Sequence, residues 1–205
     1  MATQKLRYSN WAGPRVESGR MASGASWMNV TSATSLPAKF VFKCGRFDLL
    51  RYDCTVSEMQ TYMSAIGTTG GTSGFMNARI YAGGPAGETP AVGASPLVVV
   101  AGADDLGTGV ARTLIWTFSN TKVPRFVWAG FVHDVTTTPP QTVTLQNTTG
   151  ARNIEQTAVG ANIGASVTML TGRQWTEASF LTTNTWGAGS VTDTTSPPAI
   201  WFRFV

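Results

Sequence analysis

Apolar and polar residues alternate in a series of short runs along most of the chain, and this two-residue period is typical of half-buried β-strands. The run over residues 47–56 places four apolar residues on one parity: Leu50, Tyr52, Cys54 and Val56. Stretches rich in Gly, Pro, Ser and Thr separate the runs, as turns do. We predict strands over residues 39–44, 47–56, 75–84, 97–102, 111–119, 125–135, 141–147, 164–170 and 199–205.

The recurrence of strands, about one every dozen residues, predicts an all-β fold, namely a β-sandwich of jelly-roll type over residues 36–205. Neither a long helical period nor a strand–helix–strand alternation is visible. One run, residues 56–67, is also compatible with one or two helical turns that end at Gly67. The region that carries Trp175 and Trp186 is rich in loop-forming residues, and we predict loops there.

Residues 1–35 differ from the rest because Ser, Gly, Ala and Met dominate them. Large apolar residues are too sparse there to build a core, so the segment cannot offset the entropy cost of its own ordering. We predict an extended N-terminal arm that orders only on the sandwich or on a neighbouring subunit. The arm residues expected to make assembly contacts are Arg7, Trp11, Arg15, Arg20 and Trp27.

The net charge of +4 is unevenly distributed along the chain. Residues 1–51 hold eight basic and two acidic groups, a net of +6, whereas residues 52–205 hold seven basic and nine acidic groups, a net of −2. The basic residues are spread out rather than clustered, which does not favour nucleic-acid binding. Two interpretations of the basic segment stay open: a solvated arm, or an arm that docks on an acidic neighbour.

Charged residues make up 13% of the chain, against about a quarter in ordinary soluble domains. Hydrophobic residues still make up 42%, so a sizeable core is expected rather than disorder. A surface poor in charge is typical of surfaces that meet other proteins. The N-terminus has no apolar run of signal-peptide or transmembrane type, which predicts synthesis in a cytoplasm and no membrane insertion.

The two cysteines, Cys44 and Cys54, form no CxxC pair, and His133 is the only histidine. The usual ligand spacing of a zinc site is therefore missing, and we predict no metal and no cofactor. A disulfide between the two cysteines and a pair of reduced, buried thiols both remain open.

Catalytic chemistry finds little support in the residue pattern. His133 would be the only base of a Ser-His-Asp triad, but its neighbour Asp134 points to the opposite face of a strand. Carboxylate pairs for glycoside hydrolysis can be imagined at Asp104 with Asp105, or at Asp53 with Glu58, without a cleft to define them. Neither the acidic loop over residues 102–109 nor the Gly-rich loop over residues 67–74 has the spacing of a calcium loop or a phosphate loop. We predict no catalytic residues.

Aromatic residues are the strongest binding signal, because indole and phenol rings stack on sugar faces. The residues predicted to contact a ligand or receptor are Tyr81, Trp175 and Trp186. Trp175 and Trp186 lie in polar sequence rich in Gly and Thr, so we expect both to be exposed. The competing interpretation is that most of the seven tryptophans fill the core or interfaces, as expected for Trp128.

Three short motifs carry a resemblance to a known family. They comprise Arg79, Ile80, Tyr81, Gly84 and Pro85, then Phe126, Trp128 and Ala129, and finally Pro198, Trp201 and Arg203. Over residues 40–205 the chain resembles a domain found in many bacteriophage tail and minor structural proteins. The resemblance implies a jelly-roll module displayed on a virion, commonly as a homotrimer, with loops that face a receptor or a neighbour.

Three functional hypotheses follow. The first is a non-enzymatic minor tail, tail-tip or fibre component of a phage virion, a homotrimer that contacts other virion proteins and a host surface glycan or receptor. The second is a capsid-associated coat or decoration protein whose arm laces subunits together. The third, from a different class, is a cell-wall glycan hydrolase.

Overall fold

The computed structural model describes residues 11–12, 33–36, 40–49, 54–66, 74–85, 88–100, 111–134, 143–146, 172–177, 185–187, 192–194 and 197–205. Within these ranges the chain is all-β and contains no helix. The strands are β1 (Trp11–Ala12), β2 (Ala33–Leu36), β3 (Val41–Asp48), β4 (Cys54–Ile66), β5 (Met76–Ala82), β6 (Val98–Val100), β7 (Arg112–Val123), β8 (Phe126–His133), β9 (Val143–Gln146), β10 (Gly172–Thr176), β11 (Thr192–Thr194) and β12 (Trp201–Phe204).

The first sheet is built around β4, the longest of the described strands. β7 pairs with one side of β4, and β12 and β9 pair one after the other along its opposite side. β1 pairs with the outer edge of β12, and β2 with the outer edge of β9. All these pairings are antiparallel, so β1 and β2 both run in the same direction as β4.

The second sheet has six strands in the order β11-β10-β3-β8-β5-β6, and every described pairing in it is antiparallel. β8 lies in the middle and is buried along almost its whole length. Its alternate residues point to opposite faces of the sheet. Val127, Ala129 and Phe131 face the first sheet, whereas Trp128 and Val132 face away from it.

The main core lies between the two sheets. It joins Val56, Met59 and Trp116 of the first sheet to Ala78, Ile80 and Phe131 of the second, among other buried residues. The rings of Trp116 and Phe131 are 4.7 Å apart, and the Trp116 indole nitrogen donates a 3.1 Å hydrogen bond to the backbone oxygen of Met76. Two antiparallel sheets that share one core form a β-sandwich, so the predicted all-β sandwich is confirmed, whereas its jelly-roll type stays a prediction.

The helical interpretation of residues 56–67 is wrong, because residues 56–66 lie in β4. A β-bulge between Val56 and Glu58 shifts the parity of the strand. Val56, Met59 and Met63 therefore all face the core, and their spacing of three and four residues imitates one face of a helix.

The region around Trp175 and Trp186 also differs from its prediction, because β10 and β11 lie within it. β10 pairs with β3 along five residues, so long-range pairing overrides a local sequence that is typical of loops. The predicted strand over residues 164–170 lies outside the described residues. So do Arg7, Arg15, Arg20 and Trp27 of the predicted arm, whereas Trp11 belongs to β1.

Neither cysteine forms a disulfide and both are buried, so the interpretation as reduced thiols is confirmed. In the part of the chain that the structure describes, no helix has the length and apolar character needed to cross a membrane.

Candidate functional site

The outer face of the second sheet carries a second apolar cluster, which we call the aromatic layer. Its members are buried side chains that point away from the main core: Phe42, Cys44, Tyr81, Trp128, Val132, Trp175 and Trp186. They come from β3, β5, β8 and β10, where alternation places them on one face, and from residues 185–187. The second sheet is therefore covered on both faces.

Trp186 occupies the centre of the aromatic layer. Its ring centroid lies 5.2 Å from that of Tyr81, 5.3 Å from that of Trp128 and 5.0 Å from that of Trp175, and all three contacts are edge-to-face. Edge-to-face pairs contribute about 0.5–1.5 kcal/mol each beyond the area they bury. The three neighbours thus form a box that the indole of Trp186 fills.

Two loop segments close this box from outside, and we call them the cover (residues 88–96 and 185–187). The Gly93 amide donates a hydrogen bond to the Trp186 oxygen, and the Trp186 amide donates one to the Ala94 oxygen, both at 2.8 Å. The Trp128 indole nitrogen donates to the Glu88 oxygen at 3.1 Å. Gly93 and Gly187 have φ values of +84° and +49°, a conformation that favours glycine at both turns.

A fully buried ion pair lies beside the aromatic rings. The Arg79 guanidinium donates two hydrogen bonds to the Glu177 carboxylate, of which the one from Nη2 to Oε2 measures 2.8 Å. The same guanidinium stacks over Phe42, with 5.2 Å from Cζ to the ring centroid. Burial disfavours the charged form of Arg79, but the bonds and the charge of Glu177 outweigh it and raise the pKa of Arg79.

The backbone around Phe40 places Glu177 within reach of Arg79. Phe40 has a φ of +64°, which is unusual for a residue with a side chain. Its amide donates to the His133 oxygen at 2.9 Å, and its oxygen accepts from the Glu177 amide at 2.8 Å. Phe40 thereby links β8 to the residue that follows β10.

Two weakly acidic groups of the aromatic layer are held in their neutral forms. Burial raises the pKa of Tyr81 to about 12, although Arg79 acts in the opposite direction. Burial also raises the pKa of the Cys44 thiol, which donates a hydrogen bond to the Arg173 oxygen at 3.4 Å. Since the thiolate is the reactive form of cysteine, Cys44 acts as a packing residue.

The structure brings all three predicted contact residues together, because Tyr81, Trp175 and Trp186 touch one another or share neighbours in the aromatic layer. The prediction that Trp175 and Trp186 are exposed is wrong, since they are 3% and 1% exposed. Tyr81 is fully buried as well. Polar sequence neighbours misled the prediction because the groups that bury the rings are distant in sequence: Phe42, Tyr81 and Trp128.

The residues considered for catalysis have structural partners. His133 is fully buried in β8, and the Asp134 carboxylate accepts a 2.6 Å hydrogen bond from the Phe75 amide. The Glu58 carboxylate pairs with Arg203 at 3.3 Å. Asp53, Asp104 and Asp105 lie outside the described residues. Among the residues described, no group of three or more His, Cys, Asp or Glu side chains could hold a metal ion.

The cover also presents apolar side chains to solvent, which the sequence interpretation missed. Val92, at the turn of the cover, is 75% exposed, and Leu97 and Val99 of the adjoining β6 region are each 39% exposed. The sequence does indicate an exposed apolar loop, in the run PAVGASPLVVV, where prolines and a glycine interrupt a series of apolar residues.

Comparison with known proteins adds no relative. No protein-family model matches the sequence, and no curated protein matches it. Function is therefore inferred from the chain's own residues.

Proposed function

We propose that this chain is a non-enzymatic structural protein of a bacteriophage virion, a minor tail, tail-tip or fibre component. In this role the sandwich is the rigid part, and the cover is the surface displayed to a receptor or a neighbouring protein. The observation that carries the proposal is how the aromatic layer holds the cover. Tyr81, Trp128 and Trp175 pack around Trp186. Trp186 in turn bonds to residues 88–96, whose turn presents an exposed apolar side chain.

A fastened loop suits recognition because ordering it on binding costs little entropy. Backbone hydrogen bonds join the two segments of the cover to each other, and the buried indole of Trp186 packs them on the sheet, so Val92 is held in one place before any partner arrives. Exposed apolar side chains on a fixed loop are typical of protein contact sites. The proposal includes a jelly-roll connectivity, a homotrimer and an assembly role for the N-terminal arm.

The test replaces Val92 with Asp in virions. Val92→Asp is expected to leave particles intact but to reduce host adsorption at least tenfold, because a charge at the tip of the cover opposes apolar contact. Val205→Asp is the matched control, since Val205 is also a highly exposed valine, 72% exposed, but lies at the end of β12.

Two outcomes would count against the proposal. Normal adsorption of Val92→Asp virions, with heads that lose stability, would support the capsid-associated alternative. Turnover of cell-wall glycan by the purified protein, abolished by a carboxylate substitution, would support the hydrolase alternative.

A further inference from the structure

Four of the five edge strands that the structure describes are very short. β1, β2, β6 and β11 contain between two and four residues each. β7 contains twelve residues and, among the described strands, pairs only with β4. Short edge strands protect a sheet from pairing with another chain, whereas a long edge strand invites it. β7 is therefore the place where the described sandwich accepts a further strand most readily.

The composition of β7 gives no protection in place of shortness. Edge strands of soluble proteins commonly carry lysine, proline or inward-pointing charges that prevent further pairing. The nine residues between Arg112 and Lys122 are uncharged and include neither proline nor glycine. Thr, Ile, Trp and Phe, which favour strands, make up most of them. An approaching strand therefore meets no repulsive charge along the middle of β7.

The regular part of β7 runs from Arg112 to Thr117. Each residue in it lies opposite one residue of β4, in order from Met63 to Glu58. Beyond Thr117 the register shifts, and a bulge of this kind interrupts a ladder. The part of the edge that can carry a new ladder is therefore the part centred on Ile115.

Side chains alternate strictly along this regular part. Leu114 and Trp116 are fully buried in the main core, whereas Thr113, Ile115 and Thr117 are exposed on the outer face of the first sheet. Ile115 itself is 47% exposed. An exposed apolar side chain in the middle of a long, uncharged edge adds to the tendency of that edge to pair with another strand.

We propose that β7 pairs with β7 of a second copy of this chain, antiparallel and about a two-fold axis at Ile115. In this register Ile115 lies opposite Ile115 of the other copy. Thr113 lies opposite Thr117 of the other copy, and Leu114 opposite its Trp116. The inference goes beyond the proposed virion role, which does not depend on it.

This register favours a second copy as the partner because it joins similar residues and keeps like charges apart. Threonine meets threonine and isoleucine meets isoleucine on the exposed face, and such cross-strand pairs stabilise a sheet. Arg112 lies opposite Phe118 of the other copy, so the two Arg112 residues are about 20 Å apart along the ladder. Each chain carries a net charge of +4, which opposes contact between copies elsewhere, so an uncharged edge is the place where two copies can approach.

A two-fold contact also limits the assembly that the edge can form. Pairing of β7 with a different edge of the next copy would leave a new β7 unpaired at every step, unless the assembly closed as a ring. Self-pairing uses both β7 edges at once. The two first sheets then form one continuous sheet, with six described strands from each copy.

Disulfide trapping tests the position of the two-fold axis. Residues directly opposite in an antiparallel ladder have Cα atoms about 4.5–5.5 Å apart, within the range that a disulfide spans. Ile115→Cys adds one cysteine to a chain whose native cysteines are buried, so the added thiol can react only with another copy. We expect mild oxidation to convert most chains to covalent dimers on a non-reducing gel. Val205→Cys, with its thiol at a highly exposed position outside β7, is the control and should give few.

A pair of threonines tests the register. Thr113 of one copy lies about 13 Å from Thr113 of the other in the proposed ladder, which is too far for a disulfide, and the same holds for Thr117. Neither Thr113→Cys nor Thr117→Cys should therefore form dimers alone. The double variant Thr113→Cys/Thr117→Cys should form two disulfides between copies, because the two positions are also too far apart within one strand to bridge each other.

A charge at the axis provides a variant that needs no oxidation. Ile115→Lys places two ammonium groups opposite each other and is expected to raise the dissociation constant of the pairing by roughly tenfold or more. Val205→Lys adds the same charge at an exposed valine outside β7 and should leave the dissociation constant unchanged. Light scattering over a concentration series measures the mass, and circular dichroism checks that the sheet content is kept.

The same measurements separate failure of this inference from failure of the proposed function. A dimer, or a hexamer of two trimers, that Ile115→Lys splits would support the pairing. A trimer that Ile115→Lys leaves unchanged would overturn the pairing and leave the virion role standing, whereas a stable monomer would overturn both the pairing and the proposed homotrimer. A thiol–amine crosslinker that joins Ile115→Cys in virions only to a different protein would assign the edge to that protein and overturn pairing with a second copy.

Discussion

The ion pair between Arg79 and Glu177 places two charges where water does not reach either side chain. Removing one partner of such a pair leaves the other charge buried without a partner. The resulting loss of stability is far larger than the net contribution of the intact pair. The bidentate geometry and the stacking of Arg79 on Phe42 suggest that the pair fixes the position of β10 beside the aromatic layer.

Glu177→Gln is expected to lower the free energy of unfolding by about 3–5 kcal/mol, because the Arg79 charge stays buried without a carboxylate. Urea unfolding measures the change. Glu58→Gln is the matched control, since its partner Arg203 is 52% exposed and the loss should stay near or below about 1 kcal/mol. Equal losses in the two variants would contradict the role given to the buried pair.

The raised pKa of Tyr81 predicts how the stability of the folded protein changes at alkaline pH. Its pKa is raised to about 12 in the folded protein, against about 10 in the unfolded chain. The unfolded chain loses its phenol proton first, so the contribution of Tyr81 is complete below pH 10 and is lost as the pH rises from about 10 to about 12.

Tyr81→Phe should remove the loss of stability that Tyr81 causes between pH 10 and pH 12. Denaturant midpoints of the wild-type protein and of the variant at pH 9, 10 and 11 measure this loss, as the difference between the two proteins. The difference is needed because burial lowers the pKa of Lys43, which acts with the opposite sign as the pH rises toward the pKa of an unfolded lysine, about 10.4. A wild-type protein and a Tyr81→Phe variant that lose stability in parallel would contradict the prediction.

At the scale of elements, the position of the cover depends on the side chain of Trp186, which is distant in sequence from residues 88–96. Residues 88–96 contain no strand. Their backbone hydrogen bonds to Trp186 connect them to the sheet, because the Trp186 ring is buried against it. The order of the cover should therefore depend on the Trp186 ring more than on its own sequence.

Trp186→Ala should speed hydrogen exchange at the Gly93 amide by at least tenfold relative to amides of β8, since the ring that holds residues 185–187 against the sheet is lost. Trp186→Phe, which keeps an aromatic ring in the box, should show a much smaller effect. Unchanged exchange at Gly93 in the alanine variant would mean that the cover is ordered without the aromatic layer.

The elements show where sequence patterns succeed and where they fail. β5, β7, β8, β9 and β12 overlap predicted runs, because each is rich in apolar residues and lies between turn-forming residues, although β7 continues to Val123. β4 was ambiguous because a bulge has no signature in the sequence. β10 and β11 were missed because their stability comes from pairing with β3 and with each other, over long distances along the chain.

The residues of the candidate site were predicted, but their burial and mutual packing were not. Aromatic residues in a chain of low charge signal binding or packing, and only their neighbours in space decide between the two. Trp175 and Trp186 have polar sequence neighbours, yet the rings around them come from β3, β5 and β8. The buried pairing of Arg79 with Glu177, 98 residues apart, has no local signal either.

At the scale of the whole molecule, two apolar layers are stacked on one central sheet. The main core fastens the two sheets together, and the aromatic layer fastens the cover.

The double covering of the second sheet also has a consequence for how the chain is made. Phe42, Tyr81 and Trp128 are synthesised well before Trp175 and Trp186, since synthesis runs from the N-terminus. Until the last part of the chain emerges, one broad face of the nascent sheet has nothing to bury it. The growing polypeptide thus passes through a stage in which this apolar face is bare, and its yield in a cell should depend on how well chaperones shield that stage.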